Sequence, residues 1–382
     1  MKLTRERLAG ITLGRQFPTI RGRGRAAVRE LFDRVGPIQS QVPRAPFLTA
    51  AARLPGVSYA TVRDGFVDGD LIKTTNLRGT VHTSRPAPFG ALDAVSRQAR
   101  AVDLRRVLGL TDAGLTVPDL ITEIEAFCTG NWRPRAELTE QIFGWLADRG
   151  ASVRPGASSS QAGNLIWGHS GLLRRPRDDH WERRIDTLHR TAIDVVGPEL
   201  APRSAEQAMI ELVRVHLSAY GPATRRDIAW WAGSALTPVD RALASMTDEL
   251  VRHPVSNGED LIDLAELPQR RGSDPGLRLL PEFDGLLLGY APANRDRFID
   301  REHLDRIWTR ANGMFLPMIL LDGRIVGGWR TMPGRPSADT VIELRPFTAG
   351  SGLTAERASE QITAAATALD LTVTDVRILP PG

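Results

Sequence analysis

Gln39 and Gln41 stand one residue apart in the run Gly36-Pro37-Ile38-Gln39-Ser40-Gln41-Val42-Pro43-Arg44-Ala45-Pro46-Phe47-Leu48. Amides are neutral at physiological pH; they orient water and polar ligands but are neither strong acids nor strong bases. Pro37 and Pro43 bracket the triplet, so a short loop closed by a new helix start is expected, and in a turn the two amides can converge on one point. An equally simple reading makes Gln39 and Gln41 helix caps or solvent-facing residues. A second segment, Leu71-Ile72-Lys73-Thr74-Thr75-Asn76-Leu77-Arg78-Gly79-Thr80-Val81-His82, adds two cations, three hydroxyls and an imidazole. Read alone, Arg78-Gly79-Thr80 is a tight turn in which Thr80 satisfies a backbone group, and His82 is a hydrogen-bonded strand residue.

The elements that must position these residues are legible from periodicity and capping. Residues 4–12 and 25–35 read as helices, Ala45–Leu54 as a third, and Ser58 as the cap of a short helix through Phe66. Leu71–Asn76 and Arg78–Ser84 read as a two-stranded ribbon, giving the helix-then-ribbon pattern of a winged helix. Asp119–Cys128 and Ala136–Arg149 are amphipathic helices, set off by the Gly/Ser stretch Pro155–Gly163 from Asn164–Gly168 and the strand Gly171–Arg175. Further on, Ala205–Ala219 is a helix, Thr224 caps Arg225–Ala232 in a capping-box arrangement with Asp227, and Thr237 opens a helix over Pro238–Met246. Leu250–Val255 and Asp260–Leu264 would form another wing. The tail alternates strands (Leu286–Leu288, Met318–Leu321, Ile325–Gly328, Thr340–Arg345, Thr372–Ile378) with one helix at Thr354–Leu369. The fold class is therefore α+β, with three tandem winged-helix units and a C-terminal β-rich module: 1–93, 94–203, 204–274 and 275–382.

Composition bounds the function. A chain of 382 residues with 42% hydrophobic content exceeds a single ordinary core and matches globular proteins. No apolar run is long enough for a bilayer, and Met1–Arg7 lacks the apolar core of a secretory signal. A cytoplasmic protein is expected. Cys128 is the only cysteine, which excludes an internal disulfide. His169, His180 and His189 lack metal-ligand spacing, and no P-loop, dinucleotide or nucleophile-elbow motif is present. Neither a metal nor another cofactor is expected. The net charge of +4 hides an asymmetry: residues 1–110 carry 19 Lys/Arg against 8 Asp/Glu. That basic third reads as a polyanion-binding surface, almost entirely arginine.

Gln39-Ser40-Gln41 followed by Arg78-Gly79-Thr80-Val81-His82 resembles the winged-helix DNA glycosylases of the AlkZ/YcaQ type, which carry a Gln-x-Gln or Gln-x-Asp pair and then an Arg-Gly-Thr-x-His strand. Tyr220-Gly221-Pro222-Ala223-Thr224 with Asp227 and Trp230, Leu280-Pro281-Glu282-Phe283-Asp284, and Asp322–Trp329 extend the resemblance over nearly the whole chain. Ser40 stands where that family has a hydrophobic residue. The resemblance implies a monofunctional DNA glycosylase, an N-glycosyl hydrolase acting as a monomer on duplex DNA with N7-alkylated purines or interstrand crosslinks. Gln39 and Gln41 would be catalytic; Arg44, Lys73, Arg78, Thr80 and His82 would border the cleft and meet phosphates or the lesion. Hydrolysis passes through an oxocarbenium-like sugar, and an N7-alkylated purine already carries the positive charge that makes it leave. An amide pair that orients water then suffices. Asp33, the nearest acid upstream, is expected to pair with Arg29. The alternatives are a non-catalytic winged-helix regulator, marked by strong sequence preference, and a protein that sequesters the alkylating compound, marked by binding without DNA.

Overall fold

The computed structural model describes residues 3–97, 110, 113–151, 159–184, 187–197, 203–255, 259–268, 272, 274–311, 313–334 and 339–382. The architecture is α+β. Helices α1 (Arg5–Gln16), α2 (Gly24–Val35), α3 (Ala45–Arg53) and α4 (Tyr59–Val67) surround β1 (Ile38–Gln39) and precede the ribbon β2 (Ile72–Thr75) and β3 (Val81–Ser84). Thr4 and Ser58 cap α1 and α4 through their side chains, which satisfy amides that a helix start leaves unpaired. Then come α5 (Val117–Cys128), β4 (Arg133–Pro134), α6 (Arg135–Asp148), α7 (Ser159–Gly168), β5 (Leu172–Pro176) and β6 (Thr187–Thr191). Part of the expected Gly/Ser stretch, residues 155–158, lies outside the described residues, and α7 begins within the remainder.

The two ribbons join. One six-stranded sheet runs in the order β1-β3-β2-β5-β6-β4, so residues on both sides of position 93 share it. The register places Gln39 and Thr74 opposite His82 on one face, and Ile38 and Lys73 opposite Thr83 on the other.

The next stretch contains α8 (Ala205–Tyr220), α9 (Arg225–Ala232), α10 (Leu236–Ser245) and the hairpin β7 (Leu250–His253) and β8 (Leu261–Leu264). Thr224 and Asp227 form the expected capping box of α9. The start of α10 departs from expectation: Ala235 is its cap residue and Thr237 lies inside the first turn. The tail holds the short hairpin β10 (Trp308–Thr309) and β11 (Met314–Phe315) and a five-stranded sheet, β15 (Thr372–Ile378)–β14 (Asp339–Pro346)–β13 (Arg324–Pro333)–β12 (Met318–Leu321)–β9 (Arg278–Leu280). The tail helix, here α11 (Ala355–Leu369), packs against α3 through an alanine-lined contact of Ala51 with Ala364 and Ala368. Leu286–Leu288, expected as a strand, is a helical turn. The Asp284 carboxylate accepts the Leu286 amide at 3.0 Å, and three buried leucines in a row carry no periodicity to tell turn from strand. Asp322 and Gly323, both with positive φ, form the two-residue turn between β12 and β13.

Candidate active site

The two glutamine amides meet. Gln39 ends strand β1 and Gln41 lies in the bend that follows, which lets Gln39 Nε2 donate to Gln41 Oε1 at 3.3 Å. Arg78 orders the pair: its Nη2 donates to Gln39 Oε1 at 3.1 Å. A guanidinium has donors only, so the oxygen of Gln39 must face it, the amide nitrogen must face Gln41, and the oxygen of Gln41 must face Gln39. The result is a polarised chain, Arg78 to Gln39 to Gln41, in which each hydrogen bond strengthens the next. Gln39 is buried, whereas Gln41 is half-buried and lines a cavity of about 380 Å³.

Arg78 itself is held from three sides. Its Nη1 donates to the Trp231 carbonyl at 2.7 Å, at the C-terminal end of α9, where a cation complements the helix dipole. Its guanidinium lies 4.4 Å from the centre of the Trp230 ring. Its backbone is left-handed, φ 53°. Gly233, the left-handed cap of α9, permits this contact, since a Cβ there would come within 2.8 Å of the Arg78 nitrogen. Burial pushes the Arg78 pKa down to about 10, which leaves it charged at neutral pH.

The remaining predicted residues divide. Thr80 Oγ1 donates to the Leu77 carbonyl at 3.2 Å and stabilises the turn. His82 is buried; its Nδ1 donates to the Thr80 carbonyl at 2.9 Å. Burial and the nearby Arg78 charge push its pKa down to about 3, so it is a neutral ring at physiological pH and holds no proton to give as an imidazolium. Arg44 turns away from the cavity: Nη2 lies 2.6 Å from Glu282 Oε1 and Nη1 donates to Thr331 Oγ1 at 2.8 Å. Lys73 lines the cavity beside Gln41, and burial followed by the Arg174 charge lowers its pKa to about 7. Ser40 is buried, its amide donating to the Val81 carbonyl and its hydroxyl accepting from Thr83 Oγ1 at 2.9 Å. A polar residue there is satisfied by a polar partner across the ribbon. Asp33 pairs with Arg85 at 3.2 Å, and Arg29 turns to Asp70, contrary to the expected Arg29–Asp33 pair. Among the described residues, none of the hydrogen-bond partners of the two amides is a carboxylate.

The later motifs converge on this loop. Tyr220 Oη donates to the Val35 carbonyl at 3.2 Å, at the end of α2 just before the triplet. Glu282 holds Arg44 at the start of α3, and buried Asp284 holds buried Arg53 at its end, at 3.1 Å. Trp329 Nε1 donates to the Leu280 carbonyl at 2.8 Å and fixes the strand that leads into Glu282. Through these contacts the motifs brace the glutamine loop and the helix that follows it. Trp230 is half-buried and stacks on Arg78. Cavity residues Arg135, Arg174 and Trp167 carried no sequence signal.

The model of the family described as "DNA glycosylase AlkZ-like" matches residues 32–371. The chain belongs to this family. A DNA glycosylase of this family acts on DNA, so the glutamine loop is to be read against that substrate. Among curated proteins, the chain is 25% identical over 358 residues to the interstrand DNA cross-link repair glycosylase of Streptomyces sahachiroi, covering 91% of each. The solved structure of Streptomyces sahachiroi DNA glycosylase AlkZ superposes with a TM-score of 0.77 at 22% identity, over 99% of this chain and 100% of that one. That likeness shows a shared fold.

Proposed function

We propose that this DNA glycosylase hydrolyses the N-glycosidic bond of N7-alkylated purines, including those tied into interstrand crosslinks, with Gln39 and Gln41 directing the attacking water. The observation that carries the reading is the Arg78–Gln39–Gln41 chain ending at a cavity. Gln41 Oε1 uses one lone pair on Gln39 and keeps the other for a water; its Nε2 is a donor for the sugar or for that water. Among the described residues no carboxylate base bonds to the pair, which suits a leaving group that is already cationic and needs no protonation. The name of the curated relative supports crosslinked DNA as a substrate.

In this reading, residues 1–93, 94–203 and 204–274 are winged-helix units, and 275–382 is a β-rich module that braces them in a monomer. Arg78 acts as a positioning residue, and Lys73 faces the DNA. Salt-sensitive binding to duplex of any sequence would separate this reading from a sequence-specific regulator.

The test is a duplex with a single N7-methylguanine, incubated with the protein and then cleaved by alkali at any abasic site. Gln39→Ala and Gln41→Ala are expected to lower strand breakage by about a hundredfold or more, the scale on which misplaced reacting groups lose rate, while duplex affinity stays within about twofold. Equal loss of binding and breakage would make the pair a binding element.

A further inference from the structure

The cavity into which Gln41 opens is built from the face of the six-stranded sheet opposite Gln39. Pairing of Thr74 with Leu173 brings Lys73 across from Arg174, and Arg174 is itself opposite His189. Two like charges side by side on a sheet repel. His189 cannot relieve them: burial holds its pKa down to about 3, and it is neutral. Arg174 donates to the Ile166 and Trp167 carbonyls at the end of α7 and stacks 4.1 Å from the Trp167 ring. Lys73, Arg135 and Arg184 line the same cavity, and no carboxylate is among its described lining residues. The carboxylate acting on Lys73, Glu182, already accepts from Tyr59 Oη at 2.7 Å and pairs with Arg183 at 2.9 Å. A half-buried ammonium beside a guanidinium, without a counter-ion, is costly unless an anion completes it.

We propose that this cavity is a phosphate site for the DNA backbone beside the lesion, with Lys73, Arg135 and Arg184 as its cations, and that the excised base does not enter it. The inference rests on the glycosylase reading for its ligand. An N7-alkylated purine is itself a cation and would be repelled by this lining. A phosphate is attracted, and once seated it reverses the local field. That reversal matters at Gln41, because positive charge develops on the sugar during hydrolysis. A bare cationic cavity would oppose that charge; a phosphate-filled one would favour it.

The experiment measures affinity for an undamaged duplex against salt concentration, for wild type and for Lys73→Gln, Arg135→Gln and Arg184→Gln. Arg377→Gln, on exposed strand β15, serves as the charge control, and excision of N7-methylguanine is followed in parallel. Each cavity variant is expected to reduce the slope of log K against log salt by about one unit, Lys73→Arg to keep it, and Arg377→Gln to leave it unchanged. Duplexes with one neutral methylphosphonate, walked past the lesion, should weaken wild type at one position and leave the triple variant indifferent there. Slopes that match the Arg377→Gln control, or indifference of wild type at every methylphosphonate position, overturn the phosphate site. Excision with unchanged slopes sinks this inference alone; altered slopes without excision sink the glycosylase reading alone.

Discussion

Arg78 looks like a phosphate contact in the sequence, and in the structure its guanidinium is engaged within the protein. Five donors on a planar fork allow one guanidinium to grip Gln39 Oε1, hold the Trp231 carbonyl and stack on Trp230 at the same time. A lysine reaches only one of these partners at a time and does not stack as a plane. Arg78→Lys is therefore expected to lower the single-turnover excision rate about a hundredfold, the scale of an ångström of misplacement, with no change in the salt dependence of duplex binding. A slope reduced by about one unit would put Arg78 on a phosphate instead. The reason this was not legible in the sequence is local and specific. Strand alternation gives no warning that Arg78 adopts a left-handed backbone, and its carbonyl partner lies 153 residues away. The tight turn and the Thr80 contact, both short-range, were legible.

Helix α3 shows the same division at the scale of an element. Its start and end were readable, because Pro46 sits in the first turn and Pro55-Gly56 follows the last. Its anchoring was not, because Arg44 and Arg53 find their acids at Glu282 and Asp284, more than 230 residues away. Capped helices such as α4 and α9 and the alternating tail strands were placed to within a few residues because their signals lie within the segment. The Leu286–Leu288 turn was misplaced because its decisive contact is the Asp284 cap. The Arg53–Asp284 pair is almost fully excluded from solvent, with side-chain exposures of 1% and 2%. Removing the carboxylate leaves a buried guanidinium uncompensated, a loss of about 3–5 kcal/mol. Asp284→Ala is expected to show that loss in urea denaturation, and with it reduced excision, because α3 begins four residues after Gln41. A loss under about 1 kcal/mol would mean that Arg53 finds other acceptors, the Gln16 carbonyl at 2.9 Å being the nearest.

Two of the larger hydrophobic cores interleave the chain from end to end. One joins Ala9 and Leu13 to Tyr220, Trp231, Leu286 and Phe347; the other joins Val28 and Phe47 to Ile319, Leu344 and Leu369. The glutamine loop bridges them, since Ile38 belongs to the second and Val42 packs against the first. A third core is local. It runs from Leu110 to Leu172 and packs α5, α6 and α7 among themselves. That segment supplies Arg135 and Trp167 to the cavity wall, while Gln41, Ser40 and Lys73 belong to the other side. A segment with its own core, joined to the rest chiefly through β5 and β6, can open at a lower free energy than the whole. Hydrogen exchange followed by mass spectrometry should then find amides of α5 and α6 exchanging through a smaller opening free energy than those of α3, α8 and β12, which should share one value. Exchange of α5 and α6 in common with α3 would show a single cooperative unit and a cavity of fixed width. The expected result gives the molecule a rigid half that keeps Arg78, Gln39 and Gln41 in register and a yielding half that can widen the cavity.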